Sequence, residues 1–329
     1  MRPEHITGKT VLYGCLDWGS GHVARSIPLM QQLVSQGNRL VVRCTKEQQH
    51  IFETYDIPAV YIPASAFSFR FKGDGNFTRE MLRNVFRFRK AVKAERRETQ
   101  ELVSKHQIDI IVSDHRYGLV DSNITSVFVT HQVQLPPGSG FFAQWMHRKW
   151  MSRFSVCWVM DDQQHRLAGK LSELPKRKEI EFHFIGHYSR FSASEINELP
   201  DTVVGIVSGP EPYAKQLFDL LLQQALSEKR SWTIVSPAYV VTIIPPHVRL
   251  IHDDWIAADE VIKRASLIIS RSGYTTLMDL KVLNKTALLL ATPGQTEQMY
   301  LAEHLKLKNV TIISKAEAIE GILRNQFSN

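Results

Sequence analysis

Cysteine is scarce. Cys15, Cys44 and Cys157 are the only three in 329 residues, and no two form a CxxC pair. That excludes a disulfide framework and a thiolate-built metal centre, and it suits a reducing compartment. No run of about 18 apolar residues occurs, so no membrane-spanning helix is expected. Residues 1–10 lack the apolar core of a signal peptide, and the expected location is cytoplasmic. Low-complexity tracts and short repeats are missing too, which removes fibrous and solenoid architectures. Carboxylates are outnumbered, 33 Asp or Glu against 40 Lys or Arg, a net charge of +7. Such a balance suits nucleotides, phospholipid surfaces or nucleic acid without choosing among them. The basic residues join no nucleic-acid motif, so no nucleic-acid partner is expected.

What is present is a grammar of short apolar runs alternating with amphipathic stretches. Strands are predicted at 10–16, 39–44, 59–63, 108–115 and 124–132. The pattern restarts at 202–210 and continues through 231–237, 248–253, 266–273 and 286–294. Strands alternating with helices mean α/β units with parallel sheets. At about 150 residues per domain the length gives two domains. The expected division is 1–190 and 200–329, with the boundary near Phe191–Pro200 in a charged link over roughly 160–200. The first helix, closing at Gly37, contains Pro28. Because proline disrupts a helix interior, the helix is expected to begin near Ala24 to Ser26, with Pro28 in its first turn.

Two segments carry chemistry. DWGSGHVAR (17–25) places Gly19 and Gly21 between a strand and a helix, where the backbone turns sharply and approaches a ligand. The helix N-terminus that follows suits an anion. The segment also reads as G-x-G-x-x-A, a variant of the dinucleotide fingerprint, and Arg43 at the end of the second strand would then accept a 2′-phosphate. His22 is superfluous for a phosphate cradle but placed to take a proton from a hydroxyl. The second segment, SRSGYTTLMDL (270–280), opens a helix after Arg271-Ser272-Gly273. Thr275 adds a hydroxyl, and Asp279 can accept hydrogen bonds from a ribose. ATPGQTEQ (291–298) ends the next strand, and Ser208-Gly209-Pro210-Glu211 ends an earlier one. In an open parallel sheet such loops line one crevice. Asp114 and His131 end successive strands of the first half and are expected on the acceptor side. His131 competes with His22 as the base, and Asp114 either orients a histidine or binds a hydroxyl. The pair Asp161-Asp162 reads as a helix start or solvated turn, and no metal site is expected.

These motifs resemble those of GT-B glycosyltransferases, most closely the family of the peptidoglycan-precursor N-acetylglucosaminyltransferase (glycosyltransferase family 28-like). GSGH resembles that family's glycine-rich loop and RSGYTTLMD its donor-site motif. The resemblance implies two Rossmann-like parallel-sheet domains facing across a cleft. It implies a metal-independent transferase, without cofactor, that moves a sugar from a uridine-linked nucleotide sugar with inversion. Asp279 would hold the ribose, and Ser272, Gly273 and Thr275 the diphosphate. Glu297 and Gln298 would hold donor-sugar hydroxyls, and Trp255 the uracil. Gly19, Gly21, Gly209 and Arg271 complete the donor set. Nucleotide-sugar epimerases and hydrolases share this architecture, and a non-catalytic nucleotide-sugar binder is a further alternative. The loop WGSGH carries fewer glycines than the nearest peptidoglycan enzymes.

One composition feature stands apart. Residues 68–97 hold ten Lys or Arg interleaved with Phe69, Phe71, Phe77, Phe86 and Phe88. FFAQWMHRKWMSRF (141–154) mixes large aromatics with Arg148, Lys149 and Arg153. Read plainly, both are solvated or packing helices. Read for function, they form a surface for anionic lipid, placing the protein at the inner face of a membrane with a glycan or lipid-linked acceptor.

Overall fold

The computed structural model describes residues 1–17, 19–64, 85–176, 179–193, 197–239, 241, 243–304 and 307–313, with side chains from Arg87 onward in the helix that opens at Val85. Trp18, Phe69, Phe71, Phe77 and the Phe86 side chain lie outside this set. One compact unit ends at Arg190 and a second begins at Phe191.

The first unit is built on β1 (Thr10–Cys15), β2 (Arg39–Cys44), β3 (Ala59–Pro63), β4 (Ile110–Asp114), β5 (Thr125–Thr130), β6 (Val156–Val159) and β7 (Glu181–Phe184). They pair in the order β3-β2-β1-β4-β5-β6-β7, every pair parallel. Helices α1 (Ser20–Ser35), α2 (Lys46–Thr54), α3 (Val85–His106) and α4 (Phe141–Met151) make the connections. Covering helices explain why β4 and all but the first residue of β5 are buried, giving apolar runs rather than alternation. The strand order reverses between β1 and β4, so the chain leaves these two strands in opposite directions and opens a crevice at their carboxyl ends.

The second unit repeats the plan. Strands β8 (Thr202–Ile206), β9 (Ser231–Ser236), β10 (Val248–His252), β11 (Leu267–Arg271), β12 (Ala287–Leu290) and β13 (Val310–Ile313) pair in the order β10-β9-β8-β11-β12-β13. All pairs are parallel. Helices α5 (Tyr213–Ser227), α6 (Trp255–Arg264), α7 (Tyr274–Leu283) and α8 (Thr296–His304) connect them. Phe218, Leu221 and Trp232 pack with Leu267, Ile269 and Leu288 in its core. The switch point here falls between β8 and β11.

Three strands escape the sequence pattern. β6, β7 and β13 have only four residues each; two follow charged or aromatic stretches that hide a short apolar run. β7 also places part of the expected link inside the first sheet. The first helix corrects the expectation more sharply: it starts at Ser20, and Pro28 lies inside it. Interior proline costs about 3 kcal/mol. The offset comes from eight buried positions along α1, among them Ile27, Leu29, Met30 and Leu33. A staple adds to it, with Tyr13 Oη donating to Ser26 Oγ at 2.8 Å and Ser26 Oγ to the His22 carbonyl at 2.7 Å.

The α4 face that packs inward holds a buried histidine. His147 Nε2 lies 2.9 Å from the Gln132 carbonyl and Nδ1 lies 2.7 Å from Tyr117 Oη. Nε2–H therefore donates to the carbonyl, and the tyrosine donates to Nδ1. Burial pushes this imidazole down to about 4, outweighing the carbonyl contact. Unfolded histidine takes its proton near pH ~6.5. Between the two values the unfolded chain binds the extra proton, so stability falls as pH falls through that window. Thermal melts should therefore lose stability from about pH 6.5 downward, by up to about 1.4 kcal/mol per pH unit for this group. His147→Gln should be less stable at neutral pH with a shallower slope; an unchanged slope would show that another group carries the dependence.

Candidate active site

The glycine turn after β1 delivers His22. Gly19 caps α1 with φ +69°, a left-handed conformation that a side chain would strain. It leads directly into the first turn of α1, which carries Gly21, His22 and, one turn on, Arg25. β4 arrives alongside: Cys15 is registered against Asp114, and Leu16 N–H donates to the Asp114 carbonyl at 2.9 Å. β5 follows with Thr130, after which comes His131.

These three chain segments converge on one carboxylate. Asp114 is 0% exposed. Arg25 Nε donates to its Oδ2 at 2.7 Å, and Arg25 Nη2 donates to its Oδ1. His22 Nδ1 lies 3.0 Å from the same Oδ1. Burial by itself would raise the Asp114 pKa, but the Arg25 guanidinium and His22 hold it well below the usual carboxylate range. Arg25, 2% exposed, also reaches His131 Nδ1 at 2.9 Å through Nη1 and His22 Nδ1 at 2.9 Å through Nη2. His115 completes the cluster, its ring centroid 5.2 Å from that of His22 and its Nε2 2.6 Å from Thr130 Oγ1. Burial, reinforced by His22 and Arg25, pushes His115 well below the ordinary histidine value, so it stays neutral. His22 is partly exposed, whereas His131 is buried between Arg25 and the Gln132 amide, 3.4 Å from its Nε2.

In the second unit the strand-end loops of β8, β11 and β12 come together. Gly209, at φ +105°, would place a Cβ 4.0 Å from Thr292 Oγ1. Gly273 caps α7, and Thr275 and Asp279 lie half-buried in that helix. Glu297 is half-buried in the first turn of α8. Trp255 opens α6, whose cap Asp254 accepts from Ala257 N–H at 2.9 Å.

Several expected ligand contacts prove to be internal. Ser272 is fully buried, with Oγ donating to the Gln298 carbonyl at 3.0 Å and its N–H to the Leu290 carbonyl at 3.1 Å. Neither group is left for a diphosphate, because a buried donor must be satisfied where it stands. Gln298 Oε1 accepts from Thr292 N–H at 2.8 Å and so shapes the β12–α8 loop. Arg271 is buried, with Nη1 on the Ala291 carbonyl at 3.1 Å and Nη2 on the Tyr213 carbonyl at 3.4 Å; burial lowers its pKa to about 10. It ties three loops together from beneath. In the first unit Arg43 pairs with Glu95 at 3.4 Å and with Glu98, so the cation proposed for a 2′-phosphate is already neutralised. Asp161 is buried rather than solvated. It accepts from Ala168 N–H at 3.1 Å and Ser172 Oγ at 2.8 Å, with His187 Nε2 at 3.1 Å.

Two residues outside the sequence-derived set belong to these sites. Arg25 sits three positions after His22, a spacing that shares a helix face and was the available signal. Thr292 is fully buried with no partner for its hydroxyl among the described residues. Burying an unbonded hydroxyl is costly.

Residues 254–328 match the glycosyltransferase family 28 C-terminal domain. None of the curated proteins compared matches the chain in sequence. Among solved structures, the spinosyn rhamnosyltransferase SpnG complexed with thymidine diphosphate is similar over 97% of this chain and 92% of that one, at 12% identity and TM-score 0.66. The glycotransferase of kitacinnamycin is similar over 98% and 91%, at 12% identity and TM-score 0.63. MurG of Acinetobacter baumannii is similar over 97% and 90%, at 12% identity and TM-score 0.53. At such identities the likeness speaks for the fold, and the family match speaks for the second unit. The likeness to family 28 thus lies in residues 254–328, and the two Rossmann-like units have the fold of these GT-B glycosyltransferases.

Proposed function

We propose that the protein transfers a sugar from a uridine-linked nucleotide sugar to a hydroxyl of a glycan or lipid-linked acceptor, without a metal ion and with inversion. The observation that carries this reading is His22, on a helix-opening glycine turn, with Nδ1 against the buried carboxylate of Asp114. A histidine whose Nδ1–H donates to a carboxylate keeps its Nε2 lone pair for a proton. Among the described residues no hydrogen bond reaches that Nε2, and the ring is partly exposed. In the reaction His22 Nε2 takes the proton of the acceptor hydroxyl as its oxygen bonds to the anomeric carbon. The bond from that carbon to the nucleoside diphosphate breaks in line, and the leaving oxygen takes the electron pair.

The second unit supports the donor half of this reading. The N-terminus of α7, capped at Gly273, offers N–H groups and a partial positive charge to the leaving diphosphate. The unpartnered Thr292 hydroxyl and the buried Arg271 Nε, also without a partner among the described residues, lie beneath the same loops. Asp279 is assigned to the ribose, Glu297 to the donor sugar and Trp255 to the base.

The acceptor reading is supported by α4. Phe141 is 88% and Trp145 45% exposed, and Lys149 Nζ lies 4.8 Å over the Trp145 ring. A hollow of about 580 Å³ beside them is lined by Pro136, Gly140, Phe141, Gln144, Trp145 and Arg148. Phe88 of α3 packs 5.2 Å from Trp150 on the inner side of α4, and Arg87, Arg89, Lys90 and Lys93 of α3 are exposed. Aromatics among cations suit the headgroup layer of an anionic membrane, at about 1 kcal/mol per cation.

Three outcomes are expected. Calorimetric titration should show UDP binding more tightly than GDP or dTDP, and Asp279→Ala should weaken it about tenfold or more, the worth of one or two charge-assisted hydrogen bonds. No binding of any nucleoside diphosphate would remove the donor assignment. His22→Ala should lower kcat by about 10²–10⁴ while UDP affinity is kept; unchanged turnover would place the base elsewhere. Co-sedimentation should favour phosphatidylglycerol over phosphatidylcholine vesicles and fall in Phe141→Ala/Trp145→Ala. Indifference to lipid charge would end the membrane reading.

A further inference from the structure

A separate concavity lies on the sheet of the second unit, away from its strand-end loops. Successive side chains of a strand point to opposite faces. Val203, Trp232 and Val248 pack into the core with Leu217, Phe218 and Leu221 of α5. Thr202, Val204, Ser231, Thr233 and Arg249 therefore face the other way. Register aligns them: Thr202 stands beside Ser231, and Val204, Thr233 and Arg249 form one row across β8, β9 and β10. α6 lies over this face, burying Ala258, Asp259 and Ile262. Its stripe of Ala257, Glu260, Val261 and Arg264, at helical spacing, lines a hollow of about 490 Å³ left between helix and strands. Parallel sheets are ordinarily covered on both faces, and an opening of this size is within the range of small-molecule sites.

The polar groups of the hollow divide into two sets. Thr202 Oγ1 is spent on the Leu199 carbonyl at 2.6 Å. Lys263 pairs with the Glu260 carboxylate, on which Arg264 acts from beyond ion-pair distance. The other set is uncommitted. Among the described residues, no hydrogen bond or ion pair reaches the guanidinium of Arg249 or Arg264, or the hydroxyl of Ser231 or Thr233. Arg249 stands on the edge strand and Arg264 at the end of the helix, so the two cations approach the hollow from different walls. A carboxylate has two coplanar oxygens and is filled by one arginine fork. A phosphoryl group has three oxygens in different directions and can take a fork from each wall.

We propose that this hollow is a second anion site, taking the phosphoryl group of a small phosphorylated molecule between Arg249 and Arg264. Ser231 and Thr233 add hydroxyl hydrogen bonds, and Val204 and Val261 meet the apolar part of the ligand. The site shares no residue with the donor loops. It uses the amino-terminal halves of β8 and β9, whereas those loops leave the carboxyl ends, so it does not depend on the sugar-transfer reading.

The test is a proton–nitrogen spectrum of the arginine Nε–H groups in the full chain, in mildly acidic buffer, titrated with inorganic pyrophosphate at constant ionic strength. Arg249→Gln and Arg264→Gln identify the two signals by their loss. Both signals should move along one saturating curve, with a dissociation constant of about 1 mM or tighter. Either variant should weaken binding about tenfold or more, read on the arginine that remains, because one charge-assisted fork is gone. Shifts that never saturate, or that sodium chloride reproduces, belong to isolated surface charges and overturn the proposal. So does an affinity unchanged in both variants. A saturating shift confined to other arginine signals would place pyrophosphate elsewhere on the protein and overturn it as well. Failure of the donor reading shows separately, as absence of nucleoside diphosphate binding, and leaves this result standing.

Discussion

Asp114 bears a negative charge with no contact to solvent, and a charge survives burial only where donors surround it. The Arg25 guanidinium spans both carboxylate oxygens and His22 approaches one of them. This joins the first turns of α1 to the end of β4, and through His131 to the end of β5. Removing one partner of such a pair costs about 3–5 kcal/mol because the other is left uncompensated. The same contacts that close the crevice at the β1/β4 switch point also orient the imidazole within it. Fold and chemistry are thus coupled in the first unit through one buried ion pair.

The second unit achieves similar order by other means. Its strand-end loops are laced by bonds to the backbone: Arg271 to the Ala291 and Tyr213 carbonyls, Ser272 to Gln298, and Gln298 to Thr292. Bonds of this kind fix loop shape while leaving backbone N–H groups at the α7 N-terminus for an anion. That suits a site whose ligand supplies the negative charge. The first unit carries its own buried carboxylate, Asp114, instead.

The α4 face joins both themes. Its inner residues His147, Trp150 and Met151 are buried in the first unit, while Phe141, Phe142 and Trp145 remain outside. A helix that satisfies the core on one side and displays stacked aromatics on the other, Phe142 and Trp145 lying 5.9 Å apart, carries more apolar surface than the fold requires. The adjoining Arg148 and Lys149 keep that surface compatible with water.

The sequence by itself determined the α/β repeat, the glycine turn at Gly19 and the residue types at each strand end, because burial on both faces of a parallel sheet writes long apolar runs and polar endings directly into the chain. It determined His22 and Asp114 as residues of interest, since a histidine on a glycine turn and a carboxylate ending a strand need a reason to be there. It did not disclose that Pro28 lies within a helix, because eight buried positions along α1 outweigh a local preference. Four-residue strands such as β6 and β13 were too short for periodicity to register. Only the tertiary structure decided that Arg25 and His22 share one carboxylate while Arg25 also meets His131, and that Ser272 and Arg271 face inward. Hydrogen-bond partners 89 or 106 residues apart are chosen by how strands stack in the sheet, and no local pattern of side chains records that choice.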